Sequence, residues 1–258
     1  MSCSLLCSNP LSSIECFAGW LRELGVLEVF WAKRLRRVEI LSSNPGALLL
    51  NWRYSRRQAV LVLCHGLPVK CIDYAWGFAG SGLDPLLLTQ VELPLGLYDR
   101  WSKVFLYSVE GEFLEPNLEV TVEIHPPWSV NDDVAAQVSV VQRSSWGFYI
   151  PSPPMDYVLL AVLPDGSIVG SAYYNPASSN IDYGVHVSKS HWRRRIGSRL
   201  LVETARLASS LGCRWFSVVR VIRGVKPTAS DRRAIAFYRA NKPMLEFNVY
   251  RLKRGGGI

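Results

Sequence analysis

Apolar residues recur along the second half of this chain with two different periods. Over Ile196–Leu211 they return every three or four positions, which predicts an amphipathic helix, and Gly212 follows where a helix end favours glycine. Shorter runs alternate apolar and polar positions, as half-buried strands do. Strands are therefore expected at Glu119–Ile124, Tyr157–Leu163, Ser167–Tyr174, Ile181–Val187, Trp215–Ile222 and Leu245–Leu252, with further helices at 130–142, capped by Ser129, and at 231–240.

The first part of the chain has a different pattern. Helical spacing predicts a helix that Ser12 or Ser13 caps and Gly25 ends, and a short second helix over Val29–Arg36. Strand-like runs follow at Ala47–Trp52, Ala59–Cys64, Val69–Trp76, Leu86–Glu92 and Lys103–Val109. We predict a smaller α+β domain over residues 1–115 and a mixed α/β domain over residues 116–258, with the order β-α-β-β-β-α-β-α-β in the second.

Composition narrows the class of protein. With 258 residues, of which 49% are hydrophobic and 19% charged, the chain can bury a core, so it is not a disordered protein. Its apolar runs are strand-sized and no signal-peptide pattern opens the chain, so we expect a cytoplasmic protein without a membrane partner. The six cysteines show no CxxC spacing, which favours the absence of a metal site and leaves their disulfide state open.

Charge is distributed unevenly. Residues 186–258 hold 17 Lys and Arg against 3 Asp and Glu, whereas residues 1–185 hold 12 against 18. A basic C-terminal third suits an anionic ligand such as a polyphosphate cofactor, a nucleic acid or an acidic neighbouring surface. The stretch from Glu110 to Asp133 has seven acids and no Lys or Arg, so part of the positive charge could be matched within the chain.

The most basic segment joins the strand at Ile181–Val187 to the helix that begins near Ile196. The first turn of a helix has unpaired N–H groups and the positive end of the helix dipole, and together these bind phosphates. Three consecutive arginines at 193–195 add charge and donors, and Gly197 lets the backbone come close to a phosphate. We predict a diphosphate site here; a solvated basic helix start is the alternative.

This turn resembles a known signature. The segment Trp192-Arg193-Arg194-Arg195-Ile196-Gly197 is similar to Gln/Arg-x-x-Gly-x-Gly/Ala, the acetyl-CoA signature of the GNAT N-acetyltransferase superfamily. Gly197, Ser198 and the leucine pair at 200–201 match the family pattern. Trp192 stands where Gln or Arg is usual, and Arg195 stands where the first glycine is usual.

A second segment strengthens the resemblance. Residues 231–238, with Asp231 in place of asparagine and Phe237-Tyr238 at the end, resemble the Asn-x-x-Ala-x-x-Phe/Leu-Tyr helix of the same family. The resemblance implies a GNAT-like fold, acetyl-CoA as cosubstrate, and Tyr238 as the group that protonates the departing thiolate. It also implies a cofactor site formed by Val185, His186, Val187, Trp192, Arg193, Arg194, Arg195, Ile196, Gly197, Ser198 and Asp231.

The same resemblance implies how the acetyl group is held. In this fold a β-bulge opens the strand before the diphosphate loop, so backbone N–H groups near Val185 and Val187 would hold the acetyl carbonyl and the pantetheine arm. A general base is not assigned, because Ile181 and Val218 occupy the positions where family members often have Glu. Asp182, His186 or a water chain could serve.

The sequence thus predicts an N-acetyltransferase that moves acetyl from acetyl-CoA to the amine of a protein N-terminus, a lysine or a small molecule. A catalytically inactive acyl-CoA-binding module is the first alternative. A nucleic-acid-binding protein is less favoured, because the arginines gather at one turn rather than along a face. The N-terminal domain could be a degenerate acetyltransferase-like half, and a homodimer stays open.

Overall fold

The structure is a computed structural model that describes residues 84–253, except the side chain of Asp84. It also describes the backbone of three earlier strands and residues 72, 73 and 75–77. The helices predicted between residues 12 and 34 lie outside the described residues.

The described elements are strands together with three α-helices that lie within residues 84–253. They are β1 (Leu35–Asn44), β2 (Ala47–Tyr54), β3 (Arg57–Cys64), β4 (Asp84–Thr89), β5 (Tyr98–Ser108), β6 (Thr121–His125), α1 (Asp132–Trp146), β7 (Tyr157–Val162), β8 (Ile168–Asn175), β9 (Asn180–Val187), α2 (Ile196–Ser210), β10 (Trp215–Ile222), α3 (Ala229–Ala240) and β11 (Leu245–Leu252). The mixed α/β class is confirmed, and every strand and helix predicted after residue 116 is present within a few residues of its expected bounds.

Contacts divide the chain into two compact units that are not continuous in sequence. The first unit contains residues 106–218 and 237–244, and the second contains the strands up to residue 105 together with residues 219–236 and the C-terminal strand. The boundary between residues 115 and 116 stays a prediction.

The first unit is built on an antiparallel series that ends in a parallel pair. Strands β6, β7, β8 and β9 pair antiparallel in chain order, and β9 pairs parallel with β10 after the crossover through α2. Val134 and Val138 of α1 pack with Val158 and Leu160 of β7 in one hydrophobic cluster. Successive strand residues face opposite sides of a sheet, so α1 covers the face of Val158 and Leu160.

Helix α2 packs on β7, β8 and β9. Its close approach to β8 requires a glycine on that strand. A Cβ atom at Gly170 of β8 would lie 3.1 Å from both the Ala161 methyl group and the Leu200 side chain. Because Ala161 alternates with Leu160 along β7, α2 lies on the face opposite α1. The two helices therefore enclose the strands that carry the predicted site.

The second unit pairs β1, β2 and β3 antiparallel, β3 parallel with β4, and β4 antiparallel with β11. Its core groups Tyr250 with Tyr98, whose ring centroids are 4.6 Å apart, and with Ile72 and Ala75. The strand predicted at Val69–Trp76 is wrong, because residues 72–73 and 75–77 are helical. The short helix predicted over Val29–Arg36 is also wrong at its end, since Leu35 and Arg36 already belong to β1.

The start of α1 also corrects the sequence analysis. Asn131, not Ser129, is the capping residue, and its side-chain oxygen accepts a hydrogen bond of 3.0 Å from the Val134 N–H. Ser129 instead donates from its hydroxyl to the Pro126 carbonyl. Asp132 and Asp133 follow in the first turn, where the helix dipole favours negative charge. Among the residues described, no helix combines the length and the apolar character that crossing a bilayer requires.

The cap can be tested by a matched pair of alanine substitutions. Asn131→Ala removes the acceptor for an otherwise unpaired helical N–H and is expected to lower the free energy of unfolding by about 1 kcal/mol. Ser129→Ala removes only an exposed hydroxyl contact and is expected to change it much less. Urea denaturation of both variants measures the difference, and equal losses would contradict the assignment of the cap.

Candidate functional site

Strand β9 carries a bulge in its middle. Two residue pairs define it: Ser171–His186 and Tyr173–Asp182. Between these pairs β8 advances by two residues and β9 by four. The additional length is taken up in left-handed backbone conformations at Tyr183, with φ of 60°, and Gly184, with φ of 88°. Such a bulge bends a strand and changes the direction of its backbone groups.

The regular pairing of β9 with β10 lies before the bulge. The parallel register joins Asn180 to Ser217 and Ile181 to Val218, which both precede the bulge. Beyond these pairs, the Val185 N–H donates to a side chain, the hydroxyl of Tyr238, at 3.1 Å. The strand opening that the family resemblance implied is thus present in β9.

His186 lies on the far side of the bulge and is buried. Its Nε2 is 3.2 Å from the Tyr183 carbonyl oxygen, and with the tautomer protonated at Nε2 it donates to that oxygen. Its ring packs edge-on against Trp146 of α1, with 4.0 Å between ring centroids. These contacts make His186 a support of the bulge, and its role as a base or cofactor ligand stays a prediction.

Tyr238 is held at the bulge by the C-terminal end of α3. Its hydroxyl oxygen would lie only 2.8 Å from a Cβ atom at Gly184, so this glycine is needed for the close approach. The Tyr107 hydroxyl donates to the Tyr238 backbone carbonyl at 2.7 Å. Tyr107 itself stacks with Phe216 at 5.1 Å between centroids, which fixes the anchor in an aromatic cluster. The structure therefore brings together Val185 and Tyr238, which are 53 positions apart in the chain.

The turn between β9 and α2 contains two left-handed arginines. After a short 3-10 helix at Lys189–His191, Arg193 has φ of 64° and Arg195, at the N-cap of α2, has φ of 57°. The Trp192 indole N–H donates to the Val187 carbonyl at 2.8 Å and closes the turn on the strand. The conformation at Arg195 is one that glycine adopts at low cost, and this is the position where the family signature has its first glycine.

Two neighbouring residues hold this turn in place. The Arg195 guanidinium forms an ion pair with the Glu115 carboxylate, so its side chain is directed to the protein's own acid. The Asn117 side-chain amide donates to the Arg194 carbonyl at 3.0 Å. Lys242 pairs with Glu112 at 2.8 Å. Part of the basic charge is thus neutralised by the acidic stretch from Glu110 to Asp133.

Gly197 has a packing role that the sequence did not indicate. A Cβ atom there would lie 2.8 Å from the Phe237 ring. Both Gly197 and Ser198 are buried in the first turn of α2, whereas Arg193 and Arg194 are exposed. The contact with α3 thus explains why residue 197 is a glycine. The approach of its backbone to a phosphate stays a prediction.

Asp231 belongs to a capping box at the start of α3. Its carboxylate accepts from the Thr228 N–H at 2.8 Å, and the Asp231 N–H is 3.1 Å from the Thr228 hydroxyl oxygen, which accepts from it. Arg220 adds an ion pair of 2.7 Å. Burial on its own would raise the pKa of Asp231, but the hydrogen bonds from Thr228 and the hydrogen bond and charge of Arg220 together lower it below its usual value. These contacts explain Asp231 through helix capping, and a contact with a cofactor stays a prediction.

A buried carboxyl close to the bulge was missed by the sequence analysis. Asp156, immediately before β7, is fully buried and faces Asp182. Burial, and then the charge of Asp182 and a hydrogen bond to it, raise the pKa of Asp156 well above its usual range, against a smaller opposing contribution from Asn175. One signal was available: in the alternation of β7, Asp156 falls on the same face as Val158 and Leu160, where an acid is unusual.

The arrangement as a whole combines three features in one unit. A bulged strand carries the buried Tyr238 hydroxyl against its backbone, the strand leads into a basic turn, and the turn enters the N-terminus of α2. N–H groups in the first turn of a 15-residue helix and exposed guanidinium groups form a donor set suited to a diphosphate. No cluster of metal-ligating side chains occurs in the described part of the chain.

The family model described as "Acetyltransferase (GNAT) family" matches residues 124–241. This match spans both β9 and α3 and decides the assignment. Residues 124–241 form a GNAT acetyltransferase domain. The GNAT assignment supports acyl transfer in general. No curated protein matches the chain significantly.

Several solved structures are similar to this chain. "The structure of L-PGS from Bacillus licheniformis" has 14% identity and a TM-score of 0.46, with 94% of this chain and 93% of that chain covered. A GCN5-related N-acetyltransferase from Kribbella flavida has 13% identity and a TM-score of 0.46, with 90% and 94% covered. A GCN5-related N-acetyltransferase from Sphaerobacter thermophilus has 15% identity and a TM-score of 0.42, with 81% of each chain covered. With TM-scores below 0.5, these likenesses carry no conclusion about what the chain binds.

The left-handed backbone at Arg195 gives a testable prediction. Arg195→Gly and Arg195→Ala both remove the exposed ion pair with Glu115, but only glycine adopts this conformation without a steric cost. We expect the glycine variant to be more stable than the alanine variant by about 1 kcal/mol. Thermal unfolding of the two proteins measures the difference. A glycine variant no more stable than the alanine variant would show that Arg195 is not held in the left-handed region.

Proposed function

We propose that this protein is an acetyl-CoA-dependent N-acetyltransferase, in which β9 and the turn into α2 bind the cosubstrate. The observation that carries the proposal is the bulge of β9 with the Tyr238 hydroxyl seated on it. β-Bulges are common next to active sites, where they change the direction of a side chain or a backbone group. Here it positions backbone N–H groups and a buried phenol at one place in the strand.

The donor groups of the chain fit the charge of the cosubstrate. The diphosphate would lie at the N-terminus of α2, near the N–H groups of Ile196, Gly197 and Ser198 and the guanidinium groups of Arg193 and Arg194. The pantetheine arm and the acetyl carbonyl would lie along Val185 and Val187 of β9. When bound, acetyl-CoA supplies an activated thioester, and the Val185 N–H can polarise its carbonyl group once it is released from Tyr238.

Tyr238 is the candidate acid for the leaving thiolate. A phenol that accepts the Val185 N–H hydrogen bond still carries one proton that it can donate. Its burial keeps bulk water from competing for that proton transfer. Tyr238 is therefore proposed as a catalytic residue, in contact with the sulfur atom.

The acceptor is proposed to be a primary amine, on a protein N-terminus, a lysine or a small molecule. An acyl-CoA-binding module without transfer activity is the alternative that the same site would allow. A cytoplasmic location, an N-terminal acetyltransferase-like half and a homodimer stay predictions from the sequence.

Acetyl-CoA binding tests the cosubstrate site. Arg194→Gln removes an exposed positive charge at the start of α2, and Arg206→Gln removes one near the other end of the same helix. We expect the first variant to bind acetyl-CoA roughly five- to tenfold more weakly, because a charged hydrogen bond to the diphosphate is lost. The second is expected to bind like the wild type. Calorimetry measures both affinities, and equal binding by the three proteins would move the diphosphate away from this turn.

Acetyl transfer tests the reaction. Tyr238→Phe keeps the ring and removes only the hydroxyl, so turnover with spermidine or with peptides carrying a free amine is expected to fall roughly 100-fold. Stability should fall by about 1 kcal/mol, because the Val185 N–H loses its acceptor. Tyr250→Phe is the matched control, since the Tyr250 hydroxyl also accepts a backbone N–H, that of Leu93.

The control separates chemistry from stability. Tyr250→Phe should lose comparable stability and keep its turnover. If both variants lose turnover alike, Tyr238 has a structural role only. If the wild type binds acetyl-CoA and acetylates none of the amines, the module without transfer activity is the correct description.

A further inference from the structure

Five polar or aromatic residues lie on one face of β7, β8 and β9 beside the bulge. Tyr173 pairs with Val158 on one side and with Asp182 on the other, so these three side chains share the face covered by α1. Asn175 lies two positions along β8 and pairs with Asn180, and Asp156 lies two positions before Val158. The alternation of strand side chains therefore gathers Asp156, Tyr173, Asn175, Asn180 and Asp182 at the same end of the same face.

Asp156 is the unusual member of this group. It is fully buried, and neither of its oxygens accepts a hydrogen bond of standard geometry in the described part of the chain, although the Asn175 side chain lies near enough to favour the ionised form in part. An ionised carboxylate buried with so little support is costly, so a proton shared with a neighbouring carboxyl is the favourable state. Asp182 is that neighbour, and burial together with the charge of Asp182 raises the pKa of Asp156.

Asp182 differs from Asp156 in exposure and in support. It is partly exposed, and its Oδ1 accepts from the Asn180 side-chain amide at 2.7 Å. The Asn180 amide oxygen accepts in turn from the Ser217 hydroxyl at 2.8 Å. Asp182 is thus held by a chain of side chains from β9 and β10, with the buried Asp156 behind it.

The exposed side of this pair is aromatic. Tyr183, the first left-handed residue of the bulge, is 38% exposed and packs edge-on to Tyr173. Charge from both aspartates contributes to the raised pKa of Tyr183, after burial, so the three groups are close together. A partly exposed carboxylate beside aromatic rings is a setting that binds cationic amines. Asp182 is the last regularly paired residue before the bulge that Tyr238 contacts, and it lies three positions before Val185.

We propose that Asp182 is the catalytic base that receives the acceptor amine as a cation, and that Asp156 is a positioning residue that shares a proton with it. The proposal rests on the amine transfer proposed above and names its acceptor as a protonated primary amine. Asp182 contacts the ammonium group, and Asp156 acts through Asp182 from inside the core.

The proton balance of the reaction is complete with these groups. The ammonium nitrogen gives one proton to the carboxyl pair, which later releases it to solvent. The lone pair of the neutral nitrogen forms the new C–N bond as the C–S bond of the thioester breaks. Tyr238 gives its proton to the thiolate. The second proton lost from nitrogen then returns to the phenol through solvent. The products are the N-acetyl amine, the CoA thiol and one proton.

The test compares full-length Asp182→Asn with the wild type and with Asp165→Asn, a control at an exposed aspartate in the hairpin turn before β8. With spermidine as the amine, we expect Asp182→Asn to lose roughly 100-fold in kcat/KM at neutral pH. The gap should narrow as the pH rises, because solvent then supplies the neutral amine without a base. Acetyl-CoA affinity and the Asp165→Asn control should be unchanged.

Each outcome has a separate meaning. Equal activity of Asp182→Asn and the wild type at neutral pH would overturn the inference and leave the proposed function intact. A loss that is the same at every pH would also overturn it, since a structural defect does not depend on the protonation of the amine. A wild type that acetylates neither spermidine nor an amine-bearing peptide would overturn the proposed function itself.

A measurement without substrate tests the pair directly. A raised pKa means that folded Asp156 binds its proton more tightly than the unfolded chain does, so wild-type stability falls as the pH rises above the ordinary value of 3.8. Asp156→Asn removes this penalty. The melting temperature of the variant, relative to that of the wild type, should therefore increase with pH until the pH passes the raised pKa of Asp156. The same pH dependence in both proteins would overturn the proton-sharing pair.

Discussion

The extra length of β9 is the constraint on which the rest of the site depends. A strand that advances four residues against two cannot continue a regular ladder, so it bends and its later backbone groups find other partners. The Val185 N–H reaches a phenol from a helix 53 positions later in the chain. The two carboxyl groups of Asp156 and Asp182 meet where the bulge begins. The carboxyl pair lies in the regular register before the bulge, whereas the contact between Val185 and Tyr238 depends on the bulge itself.

Rigid contacts surround this irregular strand and compensate for its missing ladder bonds. His186 ties the bulge back to itself and packs on Trp146, and the Tyr107 hydroxyl fixes the carbonyl of Tyr238. Gly184 admits the Tyr238 hydroxyl and Gly197 admits the Phe237 ring, at distances that a Cβ atom would not tolerate. The position of the C-terminal end of α3 therefore depends on two glycines on different elements.

How far the sequence predicts such a structure depends on the range of the interactions involved. The hairpin after β7 and helix α2 follow from local periodicity and glycine placement, and both were predicted with bounds correct within two residues. The turn at residues 188–195 was predicted because its charge is local. Three other features were not predicted. The contact of Phe237 with Gly197 and the pairing of Asp156 with Asp182 join residues that are distant in the chain. The choice of Asn131 as the cap depends on the backbone conformation at that residue. Residues 72, 73, 75 and 76 are helical but were predicted as part of a strand, because a short apolar run is compatible with either period.

Arg195 has a consequence for how such domains are detected. Its backbone lies in the left-handed region that favours glycine, at a position where the family signature has a glycine, and its side chain forms an ion pair with Glu115. The turn therefore requires a positive φ at this position, and an arginine whose side chain pairs with an acidic neighbour can also adopt it. A search that demands a glycine letter at this position would discard the chain, whereas a search for the torsion of the turn, applied to coordinates, would retain it.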